Sequence, residues 1–195
     1  MSALAVPADV RLARWQARAW VWLGQPRRAL AALDRFLAIN PHDWPALARR
    51  SWLRHQTGWL EGALEDARQL VALQPEADAT AWFNLGYLEE QAGHVARAAA
   101  AFERATALKP ALDTAWYGLG LARLRLGELE AARPALQRCT ELQPFSPHAW
   151  YQLARAAAES GDAAEAHRIV AHLQGFEPAV ASQLRAELNM AGAGA

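Results

Sequence analysis

The 195-residue sequence has a single cysteine, Cys139, a single lysine, Lys109, and two methionines. One cysteine cannot close an internal disulfide, so no disulfide framework is expected. No apolar stretch reaches about 18 residues without a charge, which excludes a membrane-spanning helix. The opening stretch, from Met1 to Asp9, carries neither a basic leader nor a long apolar run, so a secretory signal is not expected and a cytoplasmic location is. Net charge is also lacking, because 20 basic side chains balance 20 acidic ones. A zero balance argues against a general nucleic-acid or polyanion binder.

The composition is otherwise that of a folded chain. It is 53% hydrophobic and 21% charged and holds nine tryptophans, which excludes disorder. The zero charge hides an asymmetry. Residues 1–60 hold nine arginines and three acids, a surplus of six, whereas residues 61–195 hold eleven basic and seventeen acidic residues.

Glycine, proline and alanine are placed regularly. Pro41, Pro75, Pro110, Pro144 and Pro178 recur every 34 or 35 residues. Gly24, Gly58, Gly93, Gly127 and Gly161 keep the same spacing, as do Ala29, Ala63, Ala98, Ala132 and Ala166. A period of this size means a stacked array of supersecondary units. Within a cycle, apolar residues recur at spacings of three and four, as buried helix faces require. Trp82, Leu85 and Leu88 share one such face, and Ala98, Phe102 and Ala105 another. Each glycine breaks the first helix by tolerating a left-handed backbone, and each proline stops the second. The alanine column, with Ala17, Ser51, Gly86, Gly120 and Ala154 on the first helices, supplies the small side chains that a close helix crossing needs.

This pattern resembles the tetratricopeptide repeat family. The third cycle carries the resemblance in Trp82, Leu85, Gly86, Ala98, Phe102, Ala105 and Pro110. The fourth carries it in Trp116, Leu119, Gly120, Ala132, Leu136, Cys139 and Pro144, and the fifth in Trp150, Leu153, Ala154, Ala166, Val170, Leu173 and Pro178. The resemblance implies an all-α, right-handed superhelix of five helical hairpins over residues 10–178, split at 10–43, 44–78, 79–112, 113–146 and 147–178. Residues 1–9 then form an N-terminal tail, 179–190 a capping helix and 191–195 a loose end.

The first two cycles depart from this pattern. Ala13 and Leu47 replace the tryptophan, and Gln16 and Arg50 replace the following leucine, both at core positions. Pro134 lies inside the second helix of the fourth cycle and predicts a late helix start or a kink there.

The residues do not assemble an enzyme motif. His167 and His172 are five apart and do not share a helical face. His42, His55, His94 and His148 lie near helix ends or in arginine-rich text and read as structural or surface residues. Gly118-Leu119-Gly120 matches half a dinucleotide fingerprint, but no strand precedes it, and the repeat explains it better. Cys139 falls in a small-residue column and reads as a core thiol. Glu89 and Glu90 fit a solvated helix face. No catalytic residue, metal site or cofactor is expected.

A binding surface is more plausible. By the family resemblance, the first helices line a concave groove whose residues here include Arg14, Arg18, Arg49, Trp52, Phe83, Asn84, Tyr87, Tyr117, Leu121, Tyr151 and Arg155. Asn84 stands where many family members bond a peptide backbone, since an amide both donates and accepts. Phe83, Tyr87, Tyr117 and Tyr151 serve either as groove contacts or as packing between helices. Six of the nine tryptophans (15, 20, 22, 44, 52 and 59) share residues 1–60 with the arginine surplus. Tryptophan and arginine are enriched at interface hot spots, and arginine forms forked bonds to carboxylates. That end is therefore expected to dock an acidic or amphipathic segment of a protein or peptide partner. The alternatives are ordinary core packing for Trp15, Trp20 and Trp22, and a compositional bias for an arginine count that leaves room for one lysine.

The function expected is a non-catalytic adaptor or scaffold. A chaperone or assembly factor that holds client segments for a multiprotein or secretion machinery, and a regulatory subunit of an enzyme, are the other readings. Self-association through the terminal repeats is a further possibility.

Overall fold

The computed structural model describes residues 8–74, 76 and 78–192, and side chains from residue 15 to residue 188 apart from 75 and 77. The described residues are helical, with no strand among them. They divide into two compact units, Met1–Ala92 and Gly93–Ala195.

The first unit holds α1 (Ala8–Trp22), α2 (Pro26–Ile39), α3 (Trp44–Gln56), α4 (Leu60–Leu73) and α5 (Ala79–Gln91). Its turns follow from local chemistry. Gly24 and Gly58 sit at φ of 66° and 82°, a left-handed region that a side chain would strain. Past the turn, the Gln25 amide donates back to the Trp20 carbonyl and the Trp59 amide to the Arg54 carbonyl, both at 2.8 Å. These six-to-one bonds satisfy carbonyls that the ending helix orphans. Asp43 caps α3 by accepting from the Ala46 amide at 2.9 Å, and Asp78 caps α5 through the Thr80 amide at 2.8 Å.

Hairpins close through the small-residue columns. Ala17 and Ala29 are fully buried where α1 meets α2. Where α3 meets α4, the Ser51 hydroxyl donates to the Ala63 carbonyl at 2.9 Å, so this small residue also secures the crossing. A core of Leu33, Phe36, Leu37, Leu47 and Leu53 fills the space around them. Leu47, one of the two substitutes for the tryptophan, is fully buried.

The second unit holds α6 (Val95–Leu108), α7 (Asp113–Arg125), α8 (Leu129–Leu142), α9 (Pro147–Glu159), α10 (Ala163–Gln174) and α11 (Pro178–Gly192). Gly93, Gly127 and Gly161 repeat the left-handed turn at φ of 78°, 76° and 83°. Two helical glycines explain the Gly118-Leu119-Gly120 run. A Cβ on Gly118 would meet the Phe102 ring at 2.8 Å, and one on Gly120 would meet the Leu136 side chain at 2.6 Å. Close helix approach requires both. The indoles of Trp116 and Trp150 donate to the carbonyls of Pro110 (3.0 Å) and Pro144 (2.9 Å), tying each first helix to the loop before it. Cys139 is buried in α8, and burial pushes its thiol up to about 11.

Three expectations need correction. Of the two outcomes expected at Pro134, a late start does not occur: α8 begins at Leu129 and continues through the proline. Pro134 lies on the exposed face, so the carbonyl it leaves without a helix donor faces water. Pro178 does not stop α10, which ends at Gln174 with Gly175 as its cap; it opens α11, where a missing N–H is harmless. At the chain ends, α1 starts at Ala8, inside the expected tail, and α11 runs to Gly192, past residue 190. Pro75, residues 1–7 and residues 193–195 lie outside the described residues. α11 buries Ala181 and Leu184 completely against Leu153, Val170 and Leu173.

Candidate functional site

The residue that departs most from the pattern, Arg50, is not a packing fault. Its guanidinium grips Asp66 of α4 with two bonds, Nε at 2.9 Å and Nη2 at 2.7 Å, while Nη1 reaches Asp34 at 2.9 Å. Burial disfavours the charge on Arg50, but the hydrogen bonds and charges of Asp66 and then Asp34 outweigh it and raise its pKa. Arg54, one turn later, binds the same Asp66 at 2.9 Å, donates to the Gly62 carbonyl at 2.9 Å and stacks 4.3 Å from the Trp59 ring centre. Asp66 is 1% exposed. Four charges thus form a largely buried network in the first unit.

A signal for it exists in the sequence. The counterparts of Asp66 in the other cycles are Ala32, Ala101, Ala135 and Ile169, all buried. An acid in an apolar column and a base in a leucine column, in the same cycle, compensate each other.

A second ionic pattern runs through paired columns. Asp34 faces Arg54 at 3.7 Å, Arg68 faces Glu89 at 2.8 Å, and Glu103 faces Arg123 at 3.3 Å. Each pair joins a second helix to the next first helix, and its sign alternates from cycle to cycle. The next pair of positions holds the uncharged Gln137 and Ala157. Glu89 is therefore not on a solvated face: it is 2% exposed and accepts a forked pair of bonds from Arg68.

Of the expected groove residues, the first unit brings four together. Trp52, Phe83, Asn84 and Tyr87, with His55 and Gln56, line a cavity of about 350 Å³ between α3, α4 and α5. Trp52, Asn84 and Tyr87 are exposed and Phe83 is half-buried. The His55 ring meets Tyr87 edge-on at 5.5 Å. Aromatic walls with one amide give the cavity an apolar body and a donor–acceptor handle.

Arg18 and Arg49 line a separate depression of about 40 Å³ with Leu33, Pro45 and Ala46. Both are exposed, and Arg18 stacks 5.4 Å from the Trp15 ring centre. Neither forms an ion pair among the described residues. The side chain of Arg14 lies outside the described residues. Trp15 and Trp22 are not core: they are 66% and 87% exposed, whereas Trp20 packs half-buried on the core with Arg28 stacked on it at 4.8 Å.

In the second unit, Tyr117 and Tyr151 both pack on the core formed by Leu153, Val170 and Leu184. The Tyr151 hydroxyl donates to Glu187 of α11 at 2.5 Å, which raises the phenol's pKa and lowers the carboxylate's. Arg155 is exposed and pairs with Glu159 one turn on at 3.3 Å. Leu121 is half-buried. The described residues contain no cluster of three metal-ligating side chains. Among them, no helix is long and apolar enough to cross a membrane.

No curated protein sequence matches the chain. Among solved structures, MamA superposes with a TM-score of 0.81 at 22% identity, over 87% of this chain and 92% of MamA. YrrB, described as a tetratricopeptide repeat protein with an unusual peptide-binding site, gives 0.78 at 16% identity over 92% of this chain and 98% of YrrB. A tetratricopeptide repeat protein from Parabacteroides merdae gives 0.79 at 18% identity over 94% of this chain and 73% of that one. At such identities the likeness concerns the fold, which is that of tetratricopeptide repeat solenoids. The family's own sequence pattern matches residues 58–113, 86–147 and 117–169, more than half the chain, and the chain belongs to the tetratricopeptide repeat family, whose members generally mediate protein–protein interaction.

Proposed function

We propose that this chain is a non-catalytic cytoplasmic adaptor or scaffold that holds a segment of a partner protein on its first unit. The observation that carries this reading is the cavity bounded by Trp52, Phe83, Asn84 and Tyr87. Its volume, about 350 Å³, suits one or two large side chains, and its rings stay accessible instead of being consumed in the core. Exposed aromatic anchors of this kind carry most of the binding energy in protein interfaces. The unusual peptide-binding site described for YrrB, on the same fold, is consistent with it.

The test is affinity purification of the full chain from its native source with mass spectrometry. A stoichiometric folded partner should be recovered with the wild type and lost with Trp52→Ala/Tyr87→Ala. Both side chains are exposed, so helicity should not change. Recovery of the same partner by the double variant would refute the reading.

A further inference from the structure

Most arginines with described side-chain contacts already have a carboxylate. Arg50 and Arg54 hold Asp34 and Asp66, Arg68 holds Glu89, Arg123 holds Glu103 and Glu128, Arg133 holds Asp162 and Glu165, and Arg155 holds Glu159. Arg18, Arg27, Arg28, Arg35 and Arg49 have none among the described residues, and of these Arg18 and Arg49 come together. They come from different helices, α1 and α3, converge on one small depression, and have no acid opposite them among the described residues. Both side chains border the depression and both are positively charged, so an anion seated there is attracted by each. A planar guanidinium presents a forked pair of donors that matches a carboxylate.

Arg49 and Trp52 are three residues apart on α3, so they are neighbours on one helix face. The depression lies between α1 and α3, and the aromatic cavity lies on the other side, between α3 and α5. The two sites are therefore one helix spacing apart, about 8–10 Å. An extended chain advances about 3.3 Å per residue, so about three residues bridge them.

We infer that the partner segment is extended and bipartite: an internal Asp or Glu side chain seated between Arg18 and Arg49, and an apolar or aromatic side chain about three residues away in the Trp52–Tyr87 cavity. This rests on the groove reading above and names the chemistry that the groove selects. We take the acid to be a side chain and not a chain end, because Arg18 is flanked by the exposed Trp15 ring on which it stacks, a surface for chain beyond the acid. Asn84, suited to hold peptide backbone, lies in the aromatic cavity and not beside the arginine pair.

The experiment is selection of a displayed random decapeptide library on the full chain. The pool from the wild type should enrich Asp or Glu about three positions from Leu, Phe, Tyr or Trp. The same selection on Arg18→Glu/Arg49→Glu should replace the acid by Lys or Arg at that position and keep the apolar one. Both arginines are exposed and have no ion pair among the described residues, so circular dichroism of the variant should match the wild type. An amidated synthetic peptide of the wild-type consensus should bind as well as the free acid. Replacing its acid by the amide should weaken binding about tenfold or more, as loss of a charge-assisted fork requires. Apolar enrichment without acidic bias, a bias unchanged by the charge reversal, or binding abolished by C-terminal amidation would each overturn the inference while leaving the groove reading intact. Enrichment of nothing by the wild type would overturn both.

Discussion

The two units contain ten basic and ten acidic residues each, yet they use them differently. In the second unit, pairs such as Arg155–Glu159 and Arg138–Glu141 lie along exposed helix faces. Exposed pairs of this kind contribute little, about 0–1 kcal/mol each. In the first unit, acids are taken inside: Asp66 is buried under Arg50 and Arg54, and Glu89 under Arg68. The six-charge surplus of residues 1–60 is offset entirely within residues 61–92. Asp34, Asp66 and Glu89 are taken up by Arg50, Arg54 and Arg68, which are themselves buried or partly buried, so these pairs leave the balance of the remaining charges even. Arg18, Arg27, Arg28, Arg35 and Arg49 are all exposed, and none is ion-paired among the described residues. The unpaired arginines of the first unit thus follow from the sequence itself, which places nine arginines and only three acids in residues 1–60.

This contrast can be broken at its centre. Asp66→Ala leaves two arginines buried without their shared carboxylate, and removing one partner of a buried ionic network costs about 3–5 kcal/mol. Urea denaturation should show that loss. Arg50→Leu/Asp66→Ala, which restores the residue types of the other cycles, should lose much less than Asp66→Ala alone. Asp162→Ala in the second unit, a half-buried cap that also pairs with Arg133, should lose much less than Asp66→Ala. Equal losses at Asp66 and Asp162 would erase the difference between the units.

The alternating pairs sharpen it further. Arg68→Glu faces Glu89 with a like charge and should destabilise by about 1–3 kcal/mol. Arg68→Glu/Glu89→Arg should recover most of that, measured as a double-mutant cycle. The equivalent cycle at Glu103 and Arg123, where Glu103 is well exposed, should give about 0–1 kcal/mol. Alternation also means that Asp34 would meet a like charge if its helix paired with α5, so the ionic signs distinguish one hairpin's neighbour from another's.

The smallest effect is one of pH in the second unit. The bond from Tyr151, then that from Gln183, lowers the Glu187 pKa. A carboxylate depressed in the folded state stabilises it above the ordinary carboxylate pKa, and this contribution is lost as pH falls through the depressed value. Acidification through that range should loosen α11, seen as faster amide exchange there. Tyr151→Phe should shrink this dependence, whereas an unchanged profile would show that Tyr151 does not anchor the helix.

Features set by backbone geometry were legible in the sequence. A left-handed turn needs glycine, and a close crossing needs alanine, serine or glycine, so Gly24 to Gly161 and Ala29 to Ala166 announced five cycles before any contact was visible. Ionic packing was hidden for a different reason. Arg50 meets acids 16 residues away on both sides, and only knowledge of which columns face each other makes Arg50 and Asp66 a pair. Glu89 looked solvated because its adjacent acid, Glu90, masked its partner 21 residues earlier. For Tyr151 the sequence leaves groove contact and packing equally open, and its bond to Glu187 shows packing that helix periodicity does not reveal. Four residues that the family resemblance points to, Trp52, Phe83, Asn84 and Tyr87, line one cavity, whereas the convergence of Arg18 and Arg49 depends on how α1 and α3 pack, which no spacing states.

The central claim is that a partner segment lies on the first unit across α3 and α5. Hydrogen–deuterium exchange of the full chain, with and without the partner purified from the native source, tests it directly. Protection concentrated in α3 and α5, and absent when Trp52→Ala/Tyr87→Ala is used, is the predicted result. Protection confined to α7 and α9, or unchanged exchange in α3 and α5 at saturating partner, would contradict it.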